Sequence, residues 1–183
     1  YGLTLLGHLL EESDSTTARM ALAVLELESY QRLVQTYGYA VADAFLLTCI
    51  ERIQATLAPT PHILGRLEGG SLLIGIRGEK AQSYTELTNC AEAILEAVTP
   101  TVRLEEAEVR PEPRLGAALF QYDADTVEGL LAEAQSALGQ IRGQQDQTLA
   151  FADSTANNNL RTRLQLEADL EAALNRHEFF IEY

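Results

Sequence analysis

Apolar positions along the chain alternate between two periods, one near 3.6 residues and one suited to strands. Leu3, Leu6, Leu9 and Leu10 stand at helical spacing before Ser13-Asp14-Ser15, so a short amphipathic helix is predicted over 1–12. Ala21 to Leu27 is an almost unbroken apolar run of strand length, which suits a central strand covered on both faces. A short helix is expected from Ser29 to Gln35, ending near Gly38. From Val41 to Leu57 a long helix follows, with Leu46, Ile50, Ile53 and Leu57 on one face at 4-3-4 spacing.

Pro59 and Pro61 break that pattern. Two strands then flank Gly69-Gly70, one from His62 to Glu68 and one from Ser71 to Ile76; adjacent glycines between apolar runs signal a hairpin, because a tight turn needs positive φ. Tyr84, Leu87, Ala91, Ile94 and Val98 form another helical stripe. Val102 to Val109 and Arg114 to Gln121 are further strand candidates, and Val127, Leu130, Leu131, Ala134, Leu138 and Ile141 mark another helix. Alternating helices and strands predict an α/β layered domain over 1–152. Asp153 to Asn159 is small and polar, the composition of a linker. Beyond it, Leu166, Leu170, Ala173 and Leu174 predict one more amphipathic helix, and His177 to Tyr183 opens a strand.

Composition narrows the function. The chain has 183 residues, 46% of them hydrophobic, with 27 acidic and 13 basic residues and a formal charge of −14. That length supports one good core. Lys80 is the only lysine and no polybasic run exists to track phosphates, so nucleic acid and direct membrane contact are not expected of this domain. No signal peptide or apolar span is legible, which predicts a cytoplasmic piece. Tyr1 and Tyr183 both fall within patterned segments, and the chain is read as cut from a longer protein whose membrane anchor, if any, lies elsewhere. Cys49 and Cys90 sit inside apolar helical patterns and are expected to be buried thiols, not a disulfide framework.

The segment Arg66-Leu-Glu-Gly-Gly-Ser-Leu resembles the "R-L-G-G-D-E-F" hairpin of GGDEF-type diguanylate cyclases. Four further segments agree in order. Leu25-Glu-Leu-Glu-Ser-Tyr30 resembles "D-L-D-x-F" at the end of a strand, Tyr37-Gly38 and Asp43 fall where the family has "yGH" and "GD", Arg114-Leu-Gly-Ala-Ala resembles the "SiGia" strand, and Ala134 to Arg142 resembles the "AD-x-ALY-x-AK" helix. The tail from Leu166 to Phe179 is similar to the opening helix of EAL domains, giving a boundary of 1–152 for the GGDEF region and 153–183 for a linker and truncated EAL start. The resemblance implies an α/β (α+β) fold in which helices flank a central, mainly antiparallel sheet, as in nucleotidyl cyclases and polymerase palm domains.

Active members of that family condense two GTP molecules into cyclic di-GMP, which needs carboxylates to hold Mg²⁺ against phosphates. Under the resemblance the signature becomes Glu68, Gly69, Gly70, Ser71 and Leu72, so its acidic pair falls on Gly70 and Ser71. The first strand carboxylate becomes Glu26. The guanine-reading asparagine and aspartate become Val34 and Asp43, and an apolar side chain cannot replace an amide that both donates and accepts. Gln31 replaces a lysine, Arg142 replaces a phosphate-contacting lysine, and Asp146 replaces an arginine. The product-feedback positions become Pro59 and His62.

The expectation is therefore a degenerate, catalytically inactive GGDEF domain with no cofactor, no catalytic residue and no metal site, in which Glu26, Asp43 and Arg142 are vestiges of a nucleotide pocket. Its expected partners are the EAL domain of its own full-length protein, which is a phosphodiesterase or a receptor, and a second copy in a homodimer. The alternative is an allosteric GTP-binding sensor that controls a cyclic di-GMP phosphodiesterase. Plainer readings compete residue by residue. Gly69-Gly70 suits any hairpin turn, Glu26 and Glu28 an ordinary acidic strand end, Asp43 the positive end of a helix dipole, and Arg142 a cation in a last helical turn. His8, His62 and His177 share no ligand spacing.

Overall fold

The computed structural model describes residues 19–144, 146–153 and Leu166. By its internal contacts the chain divides into two units, Tyr1–Ala152 and Asp153–Tyr183. The helix expected over 1–12, most of the linker, and the closing helix and strand, apart from Leu166, lie outside the described residues.

The first strand, β1 (Met20–Leu27), runs into α1 (Glu28–Tyr37), and Gly38 (φ 84°) separates α1 from α2 (Tyr39–Leu57). Two strands follow, β2 (His62–Arg66) and β3 (Leu72–Arg77), joined through a 3₁₀ turn at Glu68–Gly70. Next come α3 (Tyr84–Val98), the two-residue strands β4 (Val102–Arg103) and β5 (Glu108–Val109), β6 (Pro113–Leu119), α4 (Val127–Ile141) and β7 (Leu149–Phe151). Ser83 and Thr126 cap α3 and α4, each hydroxyl accepting from a backbone N–H three residues on.

Five strands form one sheet in the order β2-β3-β1-β6-β7, antiparallel except for β6–β7. The expected mixed fold, with a mainly antiparallel sheet between helices, is the one observed. β1 is central, and its burial on both faces explains its unbroken apolar run. Met20, Leu22 and Val24 point to one face, where they pack with Val127, Leu130, Ala134, Leu138 and Ile141 of α4. Ala21, Ala23, Leu25 and Leu27 alternate to the other face and are equally buried. Burying each such leucine or isoleucine contributes about 1.5–3 kcal/mol.

Several expectations shift. Val102–Val109 is not one strand: Leu104 N–H bonds to the Ala107 carbonyl at 2.9 Å, turning the chain at Glu105-Glu106 so that β4 and β5 pair as a separate small hairpin. Ile50 lies at the flank of the α2 stripe, which Phe45 and Cys49 join. Three-residue β7 was not foreseen, because a run that short carries no period; its parallel pairing to β6 depends on the crossover through α4.

Candidate functional site

The alternation that seats β1 on α4 also places the first candidate. Glu26 continues the Met20, Leu22, Val24 series, so it emerges on the α4 face where the helix ends. There Arg142, one residue past α4, donates from Nε to Glu26 Oε2 at 2.9 Å. Arg142 is not in the last helical turn as expected; its extended ψ of 129° ends the helix, and its side chain meets the end of the central strand β1. It lines a cleft of about 480 Å³ together with Val24, Leu67, Glu68, Ser71, Gln135 and Leu138. Three elements thus bring together Glu26, Glu68, Ser71 and Arg142.

Next to Glu26 the register across β1–β6 sets Arg114, with both side chains on the same face. The Arg114 guanidinium is largely buried, ion-paired to Glu28 at the start of α1, and donates from Nη2 to the Gln144 carbonyl at 3.1 Å. Sequence reading placed Arg114 in a strand but gave it no role, since only strand pairing reveals which acid it faces.

The hairpin is fixed by close packing. Leu67 N–H bonds to the Ser71 carbonyl at 2.8 Å, and Gly69 and Gly70 take φ of 72° and 84°, a region that favours glycine. Gly70 is buried over the Tyr30 ring, and Gln31 Nε2 donates to the Gly69 carbonyl at 3.2 Å. Leu72, directly after the turn, is in the core at 1% exposure.

Asp43 lies elsewhere. Its Oδ1 accepts from Tyr30 Oη and from Arg66 Nη2, both at 2.9 Å, while the Arg66 guanidinium sits over the Tyr30 ring at 5.4 Å from its centroid. The hydrogen bond from Tyr30, followed by that from Arg66, holds the Asp43 carboxyl below its ordinary value of 3.8. Burial, then the bond to Asp43, raises the Tyr30 hydroxyl above 10.0. The helix-dipole reading of Asp43 is replaced by this triad, because α2 begins at Tyr39 and leaves its first turn without an acid. Sequence reading missed Tyr30 and Arg66 as partners of Asp43; they are 13 and 23 residues away.

Val34, Pro59 and His62 join neither cluster. Val34 is half-buried in α1, with its carbonyl accepting from Gly38 N–H at 3.0 Å. Pro59 is in the turn after α2, and His62 opens β2 with Nδ1 2.8 Å from the Thr60 carbonyl. Asp146 is exposed. Among the described residues no group of three or more His, Cys, Asp or Glu side chains is gathered to hold a metal ion. The donor set does not fit Mg²⁺: Glu26 and Glu28 at the end of β1 already pair with guanidinium groups, which leaves Glu68 as the single carboxylate among the described residues that line the cleft. Nor is any described helix long and apolar enough to cross a membrane.

A mainly antiparallel sheet flanked by helices, with a glycine hairpin joining two of its strands, fits the GGDEF resemblance. The family described as "Diguanylate cyclase, GGDEF domain" matches residues 3–148, and the chain belongs to this family of cyclic di-GMP signalling domains. It is 27% identical over 165 residues to the bifunctional diguanylate cyclase/cyclic di-GMP phosphodiesterase MucR of Pseudomonas aeruginosa, covering 90% of this chain and 24% of that protein. It is 24% identical over 178 residues to an uncharacterized protein of Synechocystis sp., covering 97% of this chain and 25% of that one. The chain spans about a quarter of the length of the curated relatives it matches.

Among solved structures, an EAL/GGDEF domain protein from M. capsulatus superposes with a TM-score of 0.70 at 20% identity, over 81% of this chain and 94% of that one. The active GGEEF domain of a Vibrio cholerae diguanylate cyclase gives 0.67 at 10% identity, over 83% and 94%. At these identities the likeness establishes the fold.

Proposed function

We propose that this GGDEF domain is catalytically inactive and serves as a regulatory, dimerisation or scaffold module for an adjacent EAL domain. The observation that carries the reading is the state of the hairpin: Gly70 turns into the Tyr30 ring and Ser71 faces the cleft, where the resemblance calls for two carboxylates. Neither residue can ligate a cation through a carboxylate or accept a proton from a 3′-hydroxyl at neutral pH. Glu26, the acid left at the strand end, is engaged by Arg142. Charge-stabilised phosphoryl transfer loses most of its rate without its metal and preorganised charges. The EAL-like tail, the bifunctional relative and the EAL/GGDEF structural neighbour support an EAL domain as the partner.

Incubation with GTP and Mg²⁺ should give no cyclic di-GMP; its appearance would overturn the reading. The alternative, a GTP sensor without turnover, draws support from the cleft with its Ser71, Gln135 and Arg142 lining. Against it, Asp43 is held by Tyr30 and Arg66. Calorimetric titration separates the two: heat at millimolar GTP supports the sensor, and none supports the scaffold.

A further inference from the structure

We infer that two arginines of this chain, Arg114 and Arg142, stand in for the divalent cation at the end of β1, so that the two acids there are charge-paired and metal-independent. The inference rests on the reading of the hairpin given above and extends it to the acids that remain. Glu26 and Glu28 bracket the β1–α1 junction, and each meets its own guanidinium: Arg142 from the end of α4, and Arg114 from the start of β6. Two carboxylates thus meet two guanidinium groups at the junction, and Glu68 is the remaining acid on the cleft.

The two cations differ in setting. Arg142 is exposed over the cleft, with 61% of its side chain accessible. Arg114 is not: only 12% of it is accessible, it faces Glu26 across the strand pair, and Gln144 closes over it. The resemblance puts a serine where Arg114 stands, so this buried charge is an addition to the family pattern at the place where its metal chemistry would need bare carboxylates. A buried cation of this kind is tolerated only when paired, and removing it leaves an uncompensated acid.

Thermal unfolding of the purified domain with added MgCl₂, against NaCl at equal ionic strength, tests the inference. The wild type should show no Mg²⁺-specific rise in Tm. An Arg114→Ser/Arg142→Ala variant should unfold at lower temperature and recover part of the loss with Mg²⁺ but not with NaCl, and adding Glu26→Gln should abolish the recovery. If the double variant does not fold, Arg142→Ala alone is read in the same way. A Mg²⁺-specific rise in the wild type that Glu26→Gln removes would overturn the inference, as would a variant for which Mg²⁺ does no more than NaCl. Neither result involves turnover, so metal binding without cyclic di-GMP formation sinks this inference and leaves the proposed inactivity standing.

Discussion

A Cβ added to Gly70 would lie 2.3 Å from Cδ1 of Tyr30, inside the distance any side-chain carbon tolerates. With φ at 84°, the position is closed to other residues by both backbone and packing. Gly70→Ala should therefore cost about 1–3 kcal/mol from the torsion and overpacking, read as a lower urea midpoint. Replacing Tyr30 by alanine in the same background should recover part of that cost, because the two effects share one contact. Installing the acidic signature as Gly70→Asp/Ser71→Glu should destabilise the domain and still yield no cyclic di-GMP. Formation of product by that variant would show that the hairpin alone was limiting.

Asp43 links stability to acid pH. Its folded-state pKa lies below 3.8, lowered first by Tyr30 and then by Arg66, so its contribution is complete above that value and lost as pH falls through the folded one. The gap in urea midpoint between wild type and Asp43→Asn should be constant near neutrality and close on acidification below about pH 4. Tyr30→Phe should narrow that window. A gap unchanged down to about pH 2 would contradict the assignment.

Gly116 in β6 packs directly against the backbone of α4. A Cβ there would fall 2.3 Å from the Ala134 carbonyl and 2.4 Å from Leu138 N, both backbone atoms that cannot rotate away. Gly116→Ala should cost about 3 kcal/mol or more by denaturant titration, because α4 must lift from the sheet. Gly139, on the same helix with nothing within 4 Å of its Cβ position, is the control. Gly139→Ala should be neutral or stabilising by up to about 1 kcal/mol.

The two thiols report on opening of the core. Burial pushes Cys49 up to about 12 and also raises Cys90, so neither forms appreciable thiolate at neutral pH. A thiol-reactive chromophore should label almost nothing in native buffer and two groups per chain in denaturant. Fast native labelling of either would contradict the burial seen for α2 and α3.

Much of the fold was legible in sequence because its elements carry strong local periods. The apolar stripe of α4 and the run from Ala21 to Leu27 each demand one kind of secondary structure, and Gly69-Gly70 demands a turn between two strands. β7 and the β4–β5 hairpin were not legible: three residues cannot show a period, and two cannot choose a partner. The candidate site divides in the same way. Its residue types could be read at their positions, including Gly70 and Ser71 in the hairpin and Glu26 at the strand end. Their partners could not.

Sequence by itself determined that a central apolar strand, a glycine hairpin and a helix ending near Arg142 would exist in that order. Each of these follows from local pattern and from the torsions only certain residues accept. Only the tertiary structure decided that Arg142 meets Glu26, that Arg114 faces the same acid across β1–β6, and that Asp43 is held by Tyr30 and Arg66. Those pairings join residues up to 116 positions apart. They are set by strand order and helix packing, which bring charges together irrespective of their separation along the chain.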